Sequence, residues 1–597
     1  MNKLPLEVAL LVSNHLSHRE KQEGALTCRS WCTWFRSNGL FEKVSLHAVT
    51  EDSADSHSQY LPLLRFFEGT YGKSVVVLSI SVNTMKLEDF ARLPHIFPNI
   101  TTLHWVGDIP LNNSKDKQTF EMAVSKWRHI KTIDDGSNRH QISTALLKET
   151  STATQLEDIK LVYPQDSNDC VEFNLEIPLH LASNAHSLTA VNAPFIICTL
   201  ENNRDAFKQF TTLRLLNLDD RNEDGDDTAY DYQGDIDTDD RGYLSEEEHW
   251  RQNEAAELSA LIPNVQHLEV TVNPLTFGAY NGVRWLGYFT RTFPNLVSFS
   301  FSYPDFMYPA LSSTDLADDY LFMHNRWRLK KYSMQFDRIS RPTLEVMEEY
   351  KVALEDLTVF VDGQSTDQFV FLKESSQTKS LKKLTINERE KYVFNGVYGH
   401  TMFQLMEQIP QLEVVEIDTF RGSLLQHNPT VIVSILNSAP QIKALKAPAL
   451  MSQSSGENAL VYQPCELVHL DISYCQFKLT VLGAQNINQT FRNILDKCPS
   501  LETFSTQVNA YKDEASTDTN IALVFSFTHQ PDMKRIHIES LYETYFKFIV
   551  NGKATYYHQK HGDMRRPVPN VDETKVYIQI EARHASIIDT SVMSETP

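Results

Sequence analysis

One pattern of apolar and polar positions recurs along most of the chain. An apolar residue is followed by two variable positions, a second apolar residue, a polar one and usually a third apolar one. The copies are NITTLHW from Ile100, QLEDIKL from Leu156, TLRLLNL from Leu213, NVQHLEV from Val265, NLVSFSF from Leu296 and ALEDLTV from Leu354. They continue with SLKKLTI from Leu381, QLEVVEI from Leu412, QIKALKA from Ile442, ELVHLDI from Leu467, SLETFST from Leu501 and MKRIHI from Met533. Alternation of this kind predicts a short strand with one buried face. The segments FPNI, IPNV, FPNL, IPQL, APQI and CPSL stand just before the strand. Their proline cannot continue a helix and holds the preceding residue extended. Amphipathic runs such as TMFQLMEQI and TFRNILDKC precede it. Each unit therefore predicts a helix, a proline stop and a short strand.

The spacing sets the architecture. Leu354 to Leu381 is 27 residues, Leu381 to Leu412 is 31, Leu412 to Ile442 is 30 and Ile442 to Leu467 is 25. A period in this range is that of leucine-rich repeats, which stack into a solenoid. The predicted fold class is α/β, with short parallel strands on the concave side and helices on the convex side. The competing reading, scattered β-α units of an α/β enzyme, does not account for a dozen copies of one pattern, six of them behind a proline stop. Polar residues between the strand anchors would line the concave sheet, among them His267, Glu269 and Thr385. The predicted substrate contacts in the later repeats are Lys383, Glu416, Asp418, Lys446, His469 and Asp471.

Composition narrows the function. The net charge of −22 over 597 residues argues against a nucleic-acid binder, which needs a basic face. The N-terminal apolar run is broken by Glu7 and lacks a small-residue cleavage site, and no stretch reaches the length of a membrane span. The 7 cysteines are an odd number, which argues against a complete disulfide framework. A cytoplasmic or nuclear location with reduced thiols, no membrane and no nucleic-acid partner are the expectations. Cys28 and Cys32 are one helical turn apart and are expected to pack as small hydrophobes. Cys170, Cys198, Cys465, Cys475 and Cys498 are unpaired in spacing. No glycine-rich phosphate loop, G-x-S-x-G or H-E-x-x-H motif occurs, so no catalytic residue, metal or cofactor is expected.

The N-terminal segment opens Leu4-Pro5-x-Glu7-Val8, and Val12 and Leu16 continue one helix face. A polar turn, SHRE, follows, and a second helix closes with Leu26, Cys28, Arg29 and Trp31. Residues 4 to about 45 resemble the F-box, a helical module in which LP-x-E opens the first helix and CR-x-W closes a later one. F-box proteins with leucine-rich repeats are substrate receptors of cullin-RING ubiquitin ligases. The resemblance implies docking on a Skp-family adaptor, and through it a cullin, by Leu4, Pro5, Glu7, Val8, Val12 and Leu16. It implies an internal core of Leu26, Cys28 and Trp31, a protein substrate held by the repeats, and catalysis in other subunits. The alternative is a repeat scaffold for protein interaction with no part in ubiquitin ligation.

Between Leu213 and Val265 lies an acidic insertion. Asp237, Asp239, Ser245 and Glu248 fall at ligand positions of a calcium loop, but Arg241 occupies another and cannot ligate. A disordered acidic loop is the expectation. Near the C-terminus, alternating runs flank Asn551-Gly552, the signal of a type I′ hairpin. The expected organisation is an F-box-like module over 1–45 and a linker and approach over 46–74. The solenoid follows over 75–544, with its acidic loop at 219–248, then a β capping region over 545–590 and a tail over 591–597.

Overall fold

The computed structural model describes residues 42–48, 56–68, 71–137, 140–163, 177–193, 200, 204–218, 261–272, 281–302, 321–335, 339–361, 367–388, 397–419, 430–450, 460–479, 481–512, 521–540, 544–559, 566–569, 577–583 and 587–592. The chain divides into two compact units, Met1–Tyr308 and Pro309–Pro597. Both are α/β, built on parallel strands joined by crossovers, an arrangement consistent with a repeat solenoid.

In the first unit the strands are β1 (Lys43–Ala48), β2 (Val77–Thr84), β3 (Thr102–Asp108), β4 (Thr132–Gly136), β5 (Asp158–Val162), β6 (Ser187–Val191), β7 (Thr212–Leu218), β8 (His267–Val272) and β9 (Ser298–Ser302). They pair in chain order, and every pair is parallel. Parallel neighbours need a crossover, which here often carries a helix, as in Ser56–Phe67, Ser114–Val124 and Gln141–Lys148. One register position holds Val44, Leu78, Leu103, Ile133, Ile159, Leu188, Leu213, Leu268 and Phe299, all buried. The repeated anchor pattern is thus one apolar row running across the sheet. The ladder starts at Lys43, ahead of residue 75. The intervening helix Ser56–Phe67 is tied in by Tyr60, whose hydroxyl donates to Asp89 at 3.1 Å, while Arg92 bridges Asp89 and Glu68. Burial, with the Asp89 carboxylate nearby, pushes the Tyr60 hydroxyl up to about 12.

A second inward row runs Leu46, Ile80, Trp105, Asp135, Leu161, Ala190, Leu215, Val270 and Phe301. Asp135 is fully buried among these apolar residues. Its carboxylate accepts from the Ser137 amide at 2.9 Å, the Ser137 hydroxyl at 2.6 Å and the Ser143 amide at 2.7 Å. The last is in the first turn of helix Gln141–Lys148, so a strand residue caps a helix whose own preceding residue, His140, makes no side-chain cap. His140 adopts φ 48, donates from Nδ1 to the Asp135 carbonyl at 3.1 Å and meets the Tyr163 ring edge-on at 4.3 Å.

The second unit repeats the scheme with β10 (Lys331–Met334), β11 (Asp356–Val361), β12 (Lys383–Glu388), β13 (Val414–Thr419), β14 (Ala444–Leu450), β15 (His469–Leu479) and β16 (Thr503–Lys512), parallel and in chain order. Then the order changes. β17 (Ala522–Phe527) leaves the sheet, and β18 (Arg535–Ser540) takes the place beside β16. β19 (Thr544–Val550), β20 (Lys553–Gln559), β21 (Arg566–Pro567) and β22 (Tyr577–Ala582) join β17 in a separate five-stranded sheet, ordered β17-β22-β19-β20-β21. The last strand, β23 (Ile587–Val592), returns to pair with β18. The β19–β20 turn has Asn551 at φ 51 and Gly552 at φ 76, the positive pair that a two-residue hairpin needs.

The small sheet meets the apolar core where other crossovers carry helices. Phe525 of β17 packs on Phe491 of helix Val481–Lys497 at 5.0 Å and on Phe504 of β16 at 5.2 Å. One side chain caps part of the free edge of β17: Asn488 donates to the Ala522 carbonyl at 2.9 Å and accepts from the Val524 amide at 2.8 Å. An exposed strand edge invites pairing with another chain, and this amide occupies part of it.

Units are also stitched by the residue after the proline. Asn99 donates to Lys73 O at 2.8 Å, Asn295 to Pro263 O at 2.6 Å, Gln411 to Lys379 O at 2.9 Å and Gln441 to Ile409 O at 3.1 Å. Asn264 makes the same contact with Lys208 O. Each carbonyl belongs to an earlier repeat and lies where regular structure ends, so the amide adds a link between repeats. Among the described residues no helix is long and apolar enough to cross a membrane.

Candidate functional site

Strands β11 to β16 and β18 carry their polar residues on the face opposite the buried row of Leu357, Leu384, Val415, Leu445, Leu470, Phe504 and Ile536. Because the register is in step, these polar residues also form rows. One runs Asp356, Lys383, Val414, Ala444, His469, Thr503, Arg535. The next runs Thr358, Thr385, Glu416, Lys446, Asp471, Ser505, His537. Asp418 lies one pleat further along β13.

The structure places Lys383, Glu416, Asp418, Lys446, His469 and Asp471 on this open face, across four adjacent strands. It brings five of them into one electrostatic group. Lys383 Nζ meets Glu416 Oε2 at 2.7 Å, and Lys446 Nζ meets Asp418 Oδ1 at 2.6 Å. Thr385 adds a hydroxyl 3.4 Å from Glu416. Lys446 is flanked in its row by Glu416 and Asp471. Burial works against its ammonium, but the hydrogen bond to Asp418 and the fields of Asp418, Glu416 and Asp471 outweigh burial and hold it above the usual lysine value. Asp471 is shifted upward. Burial disfavours its carboxylate more than Lys446, Ser505 and His537 favour it. His469 stands apart, exposed, with Nδ1 at 2.6 Å from the Thr503 hydroxyl. In the first unit the corresponding face carries His104 and Lys160 on Asp134, at 3.3 and 2.8 Å, and Arg214 on Glu269 at 3.3 Å.

These charges compensate one another, so the face offers anchored donors and acceptors of both signs. A partner that binds here must replace ion pairs with charges in matching positions, which favours specificity over raw affinity. Among the described residues no three His, Cys, Asp or Glu side chains are grouped to hold a metal ion. The adaptor candidates Leu4, Pro5, Glu7, Val8, Val12 and Leu16 lie outside the described residues. So do Leu26, Cys28 and Trp31, and the acidic-loop residues Asp237, Asp239, Ser245 and Glu248.

A second charged row is absent from the sequence reading. The residues directly after the anchors, Lys330, Glu355, Lys382, Glu413, Lys443, Val468, Glu502 and Lys534, are linked strand to strand by backbone hydrogen bonds. Their charges alternate except at Val468. Glu355 meets Lys330 at 3.3 Å and Lys382 at 2.8 Å, Lys443 meets Glu413 at 2.6 Å, and Lys534 meets Glu502 at 2.7 Å. Hydrogen bonds from Lys382 and Lys330 hold Glu355 below the usual carboxylate value, and Lys443 does the same for Glu413. The signal was in the repeated heptapeptides, whose third letter alternates between E and K from ALEDLTV to QIKALKA.

The chain matches no family model, and no curated protein matches it.

Proposed function

We propose that this chain is the substrate-recognition subunit of a cullin-RING ubiquitin ligase. In this reading residues 1–45 are an F-box that docks on a Skp-family adaptor, and the parallel-strand units are a leucine-rich-repeat solenoid that holds a protein substrate. The observation that carries it is a conjunction. LP-x-E and CR-x-W stand at F-box spacing directly ahead of a long run of in-register parallel repeats with rows of polar residues on one face. The chain then does no chemistry itself. It holds substrate lysines near the transferring enzyme and so raises their effective concentration. A cytoplasmic or nuclear site of action belongs to the same reading. The substrate lies across β12 to β15, on Lys383, Glu416, Asp418, Lys446, His469 and Asp471.

The test is co-purification of the full chain with a Skp-family adaptor. The wild type is expected to retain the adaptor, whereas Leu4→Ala with Pro5→Ala, or Val8→Glu, loses it with the repeat units still folded by circular dichroism. Wild-type protein that captures no adaptor would leave a repeat scaffold for protein interaction and overturn the ligase reading. With an adaptor-bound complex in hand, reversing Glu416 and Asp418 to Lys should weaken substrate capture without releasing the adaptor.

A further inference from the structure

Two cysteines that the sequence separates widely are neighbours in the fold. Cys465 precedes β15, and Cys498 follows the end of helix Val481–Lys497, just before β16. The Cys465 amide donates to the Lys497 carbonyl at 2.8 Å. That carbonyl belongs to the peptide that bears the Cys498 nitrogen. The two α-carbons are therefore held at roughly the 4.4–6.8 Å separation that a disulfide spans. Both side chains are buried, Cys465 at 3% exposure and Cys498 at 0%. The Cys465 thiol makes long contacts with the Gln463 carbonyl, at 3.5 Å, and the Leu436 carbonyl, at 3.8 Å. We propose that Cys465 and Cys498 are a redox-sensitive pair that closes reversibly into a disulfide and staples two successive repeats.

The pair is asymmetric. The neighbouring Cys498 thiol, helped by the Lys497 ammonium, lowers the pKa of Cys465, whereas the same contact and burial raise that of Cys498. Cys465 is also the less buried of the two, so peroxide reaches its sulfur first and Cys498 is the resolving partner. With hydrogen peroxide as oxidant, the Cys465 thiolate attacks one peroxide oxygen. The O–O bond breaks, the other oxygen leaves as hydroxide and takes up a proton as water, and Cys465 becomes a sulfenic acid. Cys498 sulfur then attacks the Cys465 sulfur, the S–O bond breaks, and its oxygen leaves as a second water with the Cys498 proton. Two thiols lose two electrons and two protons, and one peroxide is reduced to two waters. The staple would fix the segment leading into His469 and Asp471 against the segment leading into Thr503.

The experiment uses the full-length chain carrying Cys475→Ser, because Cys475 shares a tryptic peptide with Cys465. Reduced protein is treated with graded hydrogen peroxide, blocked with N-ethylmaleimide and digested for mass spectrometry. The expected result is a peptide pair joined through Cys465 and Cys498, two hydrogen masses lighter than the separate peptides and released by dithiothreitol. Its thermal midpoint should rise on oxidation and return on reduction. Added Cys498→Ser or Cys498→Ala, each checked for native circular dichroism, should abolish both the joined peptide and the shift. Separate alkylation of both cysteines after peroxide, or separate sulfinic acids without a joined peptide, would overturn the proposal. So would a midpoint shift that persists in a folded Cys498 variant.

Discussion

Lys383 and Glu416 are not register partners, yet their charges meet at 2.7 Å. Lys383 faces Val414 across the β12–β13 ladder, and its side chain leans one pleat along to reach Glu416. From the other side of β13, Lys446 does the same: it faces Glu416 and leans one pleat along in the same direction to reach Asp418. Two ion pairs thus converge on β13 from its two neighbours, and β13 supplies both carboxylates.

That geometry predicts a measurable coupling. Lys383→Ala, Glu416→Ala and the double variant form a cycle whose interaction should be about 1 kcal/mol, as both side chains keep part of their solvent contact. Denaturant titration checks it. Exchanging the charges, Lys383→Glu with Glu416→Lys, should recover most of what either reversal loses alone. Additive single effects would show that the contact contributes nothing to stability.

His140 predicts a pH dependence. Burial lowers its pKa, against the opposing pull of Asp135. In the unfolded chain the imidazole titrates at about 6.5, so below that pH the unfolded state binds more protons than the folded one. Stability is therefore fully present above that value and falls as pH drops through it toward the lower folded value. Urea midpoints at neutral pH and near pH 5 should differ less in His140→Asn, which tolerates positive φ and carries no titrating ring.

Asn488→Ala removes both bonds to the β17 edge. A cost of about 2 kcal/mol follows from two hydrogen bonds of ordinary strength. Hydrogen exchange at the Val524 amide should quicken, and self-association should rise with concentration in light scattering. Unchanged exchange at Val524 would mean that another group covers the edge.

Glu413→Lys would set a third positive charge between Lys382 and Lys443. The row is exposed, so the loss should be small and should shrink as salt is added. Thermal midpoints at low and high ionic strength test this. A loss independent of salt would point to packing.

Much of the fold was legible because the strand anchors obey two periods at once, alternation within a strand and recurrence between strands. The proline stop was read as a helix breaker. Its following Asn or Gln carries equal weight as a donor to the previous repeat, a role that needs the neighbour in place to be seen. The Asn551-Gly552 hairpin was local and could be read. The departure of β17 to pair with β22 could not, since parallel partners some fifty residues apart leave no local mark. Asp135 looks like any polar residue until its row is known to be buried. Cys465 and Cys498 look unrelated because their meeting depends on how far one repeat is offset from the next. On the open face, position was legible from alternation, but pairing was not, because the contacts run diagonally.

The alternating row of Glu355, Lys382, Glu413 and Lys443 has a bearing on how such an array can change its length. Excise one repeat, and Glu355 would stand beside Glu413, or Lys382 beside Lys443. Excise two, and opposite charges still meet. Whole-repeat gain or loss in this stretch is thus subject to a parity rule: even steps conserve the charge lattice and odd steps place a fault in it. The uncharged Val468 is a neutral joint where such a fault would be tolerated, which makes the neighbourhood of β15 the natural place to lengthen or shorten the array by one.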